Sequence, residues 1–389
     1  MKIVIVGAGN AGCLTALHYA WHTRKDKSIE IELRYNPNIP TEKVGQATVQ
    51  EPPKLLWAAT GFDWYNNPIH ATFKTGILYE NWGKKHENWF HPFSADQMAM
   101  HYCPKEMQDY VLGCGLFKVV EDDVKDISNI DADYIFDCRG KPEDYAEYDL
   151  LNHPINSCIL AKPNWDTEKV SWSRHVATPD GWTFVIPTVK ESPSNPYCVG
   201  YSYNDKITSK EEAEKNMLDL FDVEITKHVS FKNYIAKNPV IDERIILNGN
   251  KFFFFEPLES TSVQSYLVWA RKVYDVIIDK KTTWQKATED MMNYLDETRN
   301  FILWHYHFGS KYDTPFWDYA KTITFKDKKF GAILEYIKTT NHHDILPESY
   351  GGSTYDSSKY SQCYLWSLKN WYDGMTMRQD HPHQVALLK

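Results

Sequence analysis

Residues 2–12 read KIVIVGAGNAG, and this stretch decides the fold. It predicts a β-strand, a tight glycine turn and a helix, which Leu14 and Leu17 continue at helical spacing. In such a turn the first glycine allows the bend, the second lets the backbone reach a pyrophosphate, and the third lets helix pack on strand. We therefore expect a Rossmann-type dinucleotide site formed by Gly7, Gly9, Asn10, Ala11 and Gly12. The motif alone does not distinguish FAD from NAD.

The next segment should be a second strand, Ile29 to Leu33, which ends before Pro37. An acidic residue about 20 positions after the turn normally binds the ribose. Glu32 has this spacing, but Tyr35 and Asn36 occupy the expected strand end. The ribose-binding residue therefore stays open.

Beyond these elements the chain divides into two patterns. Short β-like runs separated by turn residues fill positions 73 to 203 and predict a mixed sheet. From Val263 onward apolar residues recur at helical spacing and predict a mainly helical region. No internal repeat or Gly/Ser-rich linker separates the two parts, so we expect them to interleave.

Composition excludes several classes of protein. With 389 residues, of which 42% are hydrophobic, the chain can bury a sizeable core. The net charge of −9 and the scattered basic residues argue against nucleic acid and acidic membrane surfaces. The 7 cysteines form no CxxC pair, which favours reduced thiols in the cytoplasm and no metal site. No apolar segment approaches the roughly 20 residues that a membrane span needs.

Three short motifs, VGQATVQ (residues 44–50), GWTFVIP (residues 181–187) and EPLESTS (residues 256–262), carry a family resemblance. They resemble motifs of flavin-dependent halogenases of the tryptophan halogenase family, and the resemblance runs in register from residue 3 to about 320. Residues 44–50, VGQATVQ, resemble the flavin-contacting VGEATVP stretch, with Gln46 in place of Glu. Residues 181–187, GWTFVIP, resemble the WxWxIP signature, with Phe184 in place of the second Trp. Residues 256–262, EPLESTS, resemble the PLEST element, and residues 133–140 resemble a strand and turn of two-dinucleotide-type flavoproteins.

The resemblance implies an α/β fold with a two-dinucleotide-type FAD-binding Rossmann domain, an interleaved mixed sheet and a mainly helical C-terminal substrate part. We expect the FAD-binding box to cover residues 1–270 and the helical substrate-binding part to cover residues 271–389. Residues 249–252, GNKF, lie before the EPLESTS stretch. They are bulkier than the alanine-rich segment of the family and could crowd the cofactor.

The resemblance also implies the site residues. Lys74 and Glu259 match the catalytic lysine and glutamate, and Thr261 and Ser262 match the halide-binding turn. The other predicted groups are cofactor-binding (Gly7, Gly9, Asn10, Ala11, Gly12, Val44, Gly45, Gln46, Gly249, Val263), substrate-binding (His91, Pro92, Phe93) and flavin-shielding (Trp182, Phe184, Ile186, Pro187).

The implied reaction uses reduced FAD (FADH2), dioxygen and halide. A flavin hydroperoxide would oxidise chloride, bromide or iodide to hypohalous acid, which would travel through a tunnel to Lys74 and halogenate an indole or phenol. Lys74 and Glu259 must then meet in one pocket, where burial should perturb both pKa values. Because no second nucleotide site for NAD(P)H is evident, a separate flavin reductase is the expected partner.

Structural interpretations of these residues and other functions of the chain are the alternatives. Without the resemblance, Lys74 would be a surface lysine with a buried stem, and residues 89–93 would be an aromatic core turn. His305 is interpreted as a structural core histidine. A flavin-dependent aromatic monooxygenase is the main alternative function, followed by a non-catalytic flavin-binding protein and a nicotinamide dehydrogenase.

The substrate, its regiochemistry and the preferred halide stay open. Residues 366–375 do not match the amino-acid-clamping segment of tryptophan-specific members, which suggests an open pocket and broad substrate tolerance. No motif specifies the oligomeric state, and a homo-oligomer is expected only as a default.

Overall fold

The computed structural model describes residues 1–83, 88–93, 99–326 and 328–340, together with Lys369 and Tyr372. The rest of the 366–375 segment lies outside the described residues. In chain order the helices are α1 (Asn10–Thr23), α2 (Glu51–Thr60), α3 (Pro104–Leu112), α4 (Lys210–Leu220), α5 (Thr261–Ile277), α6 (Trp284–Phe308), α7 (Pro315–Thr322) and α8 (Lys328–Thr339).

The strands in the same ranges are short. They are β1 (Lys2–Val6), β2 (Glu30–Tyr35), β3 (Gln46–Ala47), β4 (Thr72–Lys74), β5 (Gly76–Glu80), β6 (Asn88–Pro92), β7 (Ala99–Tyr102), β8 (Lys118–Glu121), β9 (Tyr134–Asp137), β10 (Tyr148–Leu151), β11 (Ser157–Pro163), β12 (Ser173–Thr178), β13 (Gly181–Val185), β14 (Val199–Tyr203), β15 (Val223–Ser230), β16 (Asn233–Ala236), β17 (Val240–Ile241), β18 (Ile245–Leu247) and β19 (Phe253–Phe254).

The first sheet is the predicted Rossmann sheet, with strand order β17-β18-β9-β1-β2-β8. All its pairs are parallel except β17 with β18. Ile3, Val4 and Ile5 are fully buried, as expected for a parallel strand covered on both faces. The first strand was predicted correctly. The second runs from Glu30 to Tyr35 and is longer than predicted, because Tyr35 pairs with Glu121 of β8.

The predicted mixed sheet is also present. Seven strands lie in the order β15-β11-β14-β13-β12-β5-β6, in which only β5 and β12 are parallel. A separate antiparallel sheet has the strand order β3-β7-β4. It links the predicted flavin-contacting stretch, which contains β3, to β4, which carries Lys74. Antiparallel β10-β16-β19 completes the sheets of the described residues.

Helices follow residue 260, as the apolar spacing predicted. Val273, Ile277, Met291 and Leu295 are all fully buried. α5 packs against both α1 and α6, and it is continuous through residue 270. The division into parts at residues 270 and 271 stays a prediction.

Two further findings concern the described residues. Six cysteines, at positions 13, 103, 114, 138, 158 and 198, are free thiols. None of the helices in the described ranges is both long enough and apolar enough to cross a membrane.

Candidate active site

The glycine turn is built as its sequence requires. Gly7 has a φ of +104°, and a side chain at this position would collide with the backbone of Cys138. A Cβ at Gly12 would collide with the carbonyl oxygen of Gly7. At Gly9, which precedes α1, a Cβ would meet nothing within 4 Å. The third glycine therefore permits close packing, while the second leaves open space beside a helix N-terminus, where a phosphate would bind.

Two predicted cofactor residues meet beside this turn. Asn10 Nδ2 donates to Gln46 Oε1 at 2.6 Å, and the Tyr102 hydroxyl donates to the same oxygen at 3.2 Å. Asn10 Oδ1 is buried without a hydrogen-bond partner. A buried acceptor of this kind normally has a partner, so this oxygen is available to a donor on a bound dinucleotide.

Gly249 also reaches the turn. It has a φ of +65°, and a Cβ there would collide with that of Ala11. The bulky residues that follow are accommodated in the core, because Phe252 packs on Trp269 and Phe253 on Tyr266, with both phenylalanines fully buried. Val263, on α5, is buried as well.

The Glu32 carboxylate is enclosed within the Rossmann sheet and does not lie at a strand end. Glu32 lies in the middle of β2, opposite Val4, and its side chain is fully buried. Its carboxylate accepts from Arg34 Nε at 2.5 Å and from Lys118 Nζ at 2.8 Å. These contacts satisfy the carboxylate inside the protein.

Lys74 is buried, with 2% of its surface exposed. Nζ donates to the backbone oxygen of Thr48 at 3.2 Å and to Ser260 Oγ at 3.0 Å. Burial lowers the pKa of Lys74 to about 7, although the charge of Glu259 acts in the opposite direction. The surface-lysine interpretation is therefore wrong. Nζ also lies 5.0 Å from the ring centroid of Phe93.

Glu259 lies beside this lysine in a strained turn. Glu259 and Ser260 have φ values of 68° and 57°, a left-handed conformation that is uncommon outside glycine. The Glu259 carboxylate accepts from the Tyr79 hydroxyl and lies 2.7 Å from His305 Nε2. Burial raises its pKa, but His305, His91 and Tyr79 outweigh burial and lower it to about 2. The predicted perturbation of both pKa values is thus confirmed.

The same turn has a backbone conformation typical of anion nests. Left-handed Ser260 is followed by Thr261 with φ −77° and ψ −23°, a combination that directs successive N–H groups toward one point. Thr261 and Ser262 begin the 17-residue helix α5, and the first N–H groups of a helix have no acceptor within it. Thr261 Oγ1 is buried without a partner.

The predicted substrate residues lie on β6 and just after it. His91 is buried, 5.3 Å from Trp89 and 6.0 Å from Phe93 between ring centroids. Trp89 in turn stacks on Tyr79 at 5.7 Å. Residues 88–92 form a strand, so the predicted aromatic turn is wrong, whereas its core placement is confirmed because Trp89 and Phe90 are buried. Pro92 and Phe93 are half-buried at its end.

The predicted flavin-shielding residues occupy β13 and its extension. Trp182 is fully buried and packs on His175, with 4.8 Å between ring centroids. A Cβ on Gly45 would lie 3.4 Å from Ile186. The backbone oxygen of Pro187 accepts from Thr72 Oγ1 at 3.0 Å. The end of this segment therefore lies between the predicted flavin stretch and the strand of Lys74, whereas Trp182 lies deeper in the core.

Sequence reasoning missed several polar residues around Lys74 and Glu259. Tyr79 bonds Glu259, and the ring of His175 meets the ring of Tyr79 edge-on at 5.4 Å. His101 Nδ1 lies 3.1 Å from Thr72 Oγ1. His305 was singled out, but only as a core residue, and its position among aromatic residues was the one available signal. Within the described residues, no group of three or more His, Cys, Asp or Glu could hold a metal ion.

Comparison with known proteins identifies the family of this chain. The family model described as tryptophan halogenase matches residues 2–111 and 123–387. The chain belongs to this family. Tryptophan 7-halogenase RebH from Lentzea aerocolonigenes is 22% identical to it, over 84% of this chain and 80% of the relative. Tryptophan 6-halogenase ThaL from Streptomyces albogriseolus is 23% identical, over 87% and 81%.

Solved structures of flavin-dependent halogenases share the fold of this family member. BrvH, a flavin-dependent halogenase from Brevundimonas sp. BAL3, superposes with a TM-score of 0.74 and 16% identity, covering 100% of this chain and 92% of that one. Tar14, a tryptophan C-6 flavin-dependent halogenase from taromycin biosynthesis, gives 0.73 and 18%, covering 96% and 90%. The predicted α/β fold with a Rossmann domain is thereby confirmed.

Proposed function

We propose that this chain is a reduced-FAD-dependent halogenase that oxidises a halide to hypohalous acid and halogenates an electron-rich aromatic compound of the indole or phenol type. One observation carries the proposal. Buried Lys74 hydrogen-bonds Ser260, so that the amine, the Glu259 carboxylate and the N-terminus of α5 meet at one turn. Membership of the tryptophan halogenase family supports the same reaction class.

The cofactor residues are assigned from the turn after β1. The N-terminus of α1 beside Gly9 would hold the FAD pyrophosphate, with Asn10, Ala11, Gly45, Gln46 and Gly249 around it. When bound, reduced FAD would reduce dioxygen and so supply the oxidising equivalent that converts halide into hypohalous acid. Since the sequence holds one such glycine turn and no second nucleotide site is evident, a separate flavin reductase would supply the reduced flavin.

Halide would bind at the backbone N–H groups of Thr261 and Ser262. These groups lack acceptors within α5, and the positive end of the helix dipole favours an anion. Trp182, Phe184, Ile186 and Pro187 would keep the organic substrate away from the flavin. They are buried and largely apolar, as that role requires.

Lys74 would position the hypohalous acid. With a pKa near 7, part of the lysine population is a neutral amine, which can accept the halogen, and part is an ammonium, which can donate a hydrogen bond to the oxygen. His91, Pro92 and Phe93 would hold the aromatic ring nearby, because flat apolar groups stack on indoles and phenols. Glu259 would then remove the ring proton.

The test combines the purified chain with a flavin reductase, FAD, NADH, a panel of indoles and phenols, and each halide in turn. Products are followed by mass spectrometry for wild type, Lys74→Ala and Lys105→Ala, a control on the exposed face of α3. We expect halide-dependent mass shifts in wild type and in the control. We expect none in Lys74→Ala, while a thioether added to trap hypohalous acid is still oxidised.

Other products would identify the alternatives. Hydroxylated product whose yield is indifferent to halide would establish the aromatic monooxygenase. Tight flavin binding with no product would establish a non-catalytic flavin-binding protein. Product in Lys74→Ala at the wild-type rate would refute the assignment of the lysine.

A further inference from the structure

We propose that His305 is a positioning residue for Glu259, which holds one carboxylate oxygen and shares a single proton with it. The inference rests on the proposed function and assigns to the histidine a part in proton removal from the aromatic ring.

Both ring nitrogens of His305 have partners that define their hydrogens. Nδ1 lies 2.7 Å from the backbone oxygen of Phe301, and a carbonyl only accepts, so Nδ1 carries hydrogen. Nε2 lies 2.7 Å from Glu259 Oε1. A lone pair on Nε2 would face the lone pairs of a carboxylate at this distance and be repelled. One proton therefore lies between the two groups, and full burial of the imidazole protects it from exchange with water.

Helix α6 holds the turn at two points. His305 contacts Glu259, and the next residue, Tyr306, donates from its hydroxyl to Glu256. Both carboxylates belong to the EPLES turn, in which Glu259 and Ser260 have left-handed backbone conformations. Such conformations are unfavourable for residues other than glycine, so the turn needs external contacts to keep its shape. Glu256 and Tyr306 provide an anchor that does not include the catalytic carboxylate.

Other titratable groups surround the shared proton. The Tyr79 hydroxyl of β5 lies 3.3 Å from Nε2 of His305 and donates to Glu259. Lys74 on β4, His91 on β6 and His175 on β12 act on the pair or on its members through charge. These four residues therefore set the electrostatic surroundings of the shared proton.

The chemical step uses the second carboxylate oxygen. Within the described part of the chain, the Tyr79 and His305 contacts both fall on Oε1, so we assign Oε2 to the ring proton. The ring attacks the halogen of hypohalous acid, and the halogen–oxygen bond breaks. The electron pair of that bond leaves with the oxygen, which takes a proton from the Lys74 ammonium to form water. Oε2 then takes the ring proton, and the C–H electron pair returns to the ring. His305 keeps Oε1 bonded throughout, which holds Oε2 toward the ring.

The first test needs no activity. Proton NMR of the protein should show a strongly downfield imidazole resonance that is lost in His305→Gln and also in Glu259→Gln. Absence of this resonance in wild type, or its survival in Glu259→Gln, would overturn the shared proton. The resonance together with no halide-dependent product would refute the proposed function and leave the shared proton standing.

The second test uses kinetics with indole and ring-deuterated indole over pH 6 to 9. His305→Gln keeps an N–H donor but cannot share a proton with the carboxylate. We expect its kcat to fall about tenfold or more, with little change in KM and an unchanged rate of thioether oxidation. Ring deuteration should slow this variant and not wild type, because proton removal becomes limiting. His305→Leu, which also loses the donor, should be slower still.

Tyr306→Phe is the matched control, since it removes the neighbouring anchor of the same turn. It should lower the melting temperature without creating an isotope effect or changing the pH profile. An isotope effect of the same size in Tyr306→Phe would show that anchoring alone accounts for the loss. A His305→Gln variant with wild-type kcat and pH profile would overturn the inference.

Discussion

Replacement of Lys74 by methionine should stabilise the protein at neutral pH, although it should remove the proposed halogenase activity. Burial lowers the lysine pKa from 10.5 to about 7. One pKa unit corresponds to about 1.4 kcal/mol, so the buried charge destabilises the folded state by about 5 kcal/mol below pH 7. In that range the amine is charged in both the folded and the unfolded state. Between pH 7 and 10.5 only the unfolded state is protonated, so the cost declines, and above pH 10.5 it is absent.

The methionine variant also loses two hydrogen bonds, to the Thr48 carbonyl and to Ser260 Oγ. At about 1 kcal/mol each, their loss reduces the gain to about 3 kcal/mol at pH 6.5. The destabilisation by the buried lysine declines with pH and equals the free energy of the two lost hydrogen bonds at about pH 9. The stabilities of wild type and Lys74→Met, plotted against pH, should cross there. An unbranched side chain of similar length fits the same space and adds little packing cost.

Urea unfolding followed by circular dichroism at pH 6.5, 8.0 and 9.5 measures this difference. Lys169→Met is the control, because the Lys169 side chain is 75% exposed. Its stability should stay within about 0.5 kcal/mol of wild type at each pH. A Lys74→Met variant that is less stable than wild type at pH 6.5, or whose advantage does not depend on pH, would refute the reasoning.

Three further predictions concern the base, the cofactor turn and acid stability. Glu259→Gln should lower aromatic halogenation about 100-fold or more while thioether oxidation persists, and equal loss of both in mass-spectrometric assays would contradict its role as base. Gly9→Ala should keep the melting temperature of the apoprotein but weaken FAD binding about tenfold, because the methyl group fills the open space at the helix start. Fluorescence titration measures the FAD affinity, and an unchanged affinity would contradict the prediction. His18 is buried with a pKa lowered to about 3, so stability should fall as pH drops from 6.5 toward 3, by up to about 1.4 kcal/mol per pH unit. His18→Leu should reduce the difference in melting temperature between pH 7.5 and 5.0, and an unchanged difference would exclude this histidine as a cause.

The elements that the sequence predicted are those whose pattern is local. The strand Lys2–Val6 and the glycine turn follow from adjacent residues, and the helices after residue 260 follow from apolar spacing. Lys74 was found differently. A lysine after Phe73 on a short strand has the same local pattern as an exposed edge lysine, and only the family resemblance indicated a function. Its burial results from pairing of β4 with β7 and from contact with Ser260, which are long-range events.

The residues that escaped prediction depend on such long-range contacts. Tyr79, His101 and His175 surround Lys74 and Glu259 only after four strands and a turn are assembled, so no local spacing identifies them. Glu32 shows the limit of spacing as a guide. It has the expected distance from the glycine turn along the chain, but β2 continues to Tyr35, and the carboxylate is enclosed before the strand ends. Spacing along the chain locates a ligand residue only when the strand end is known.

The arrangement of the site explains why two destabilising features occur together. A lysine that is partly neutral near pH 7 must be desolvated, and a backbone that presents N–H groups to an anion must leave the common helical and extended conformations. The first cost falls on Lys74 of β4 and the second on the turn from Glu256 to Ser262, while the Lys74–Ser260 hydrogen bond and the contacts from α6 offset them. Relief of either cost should therefore stabilise the fold and impair the chemistry, which is the direction expected for Lys74→Met.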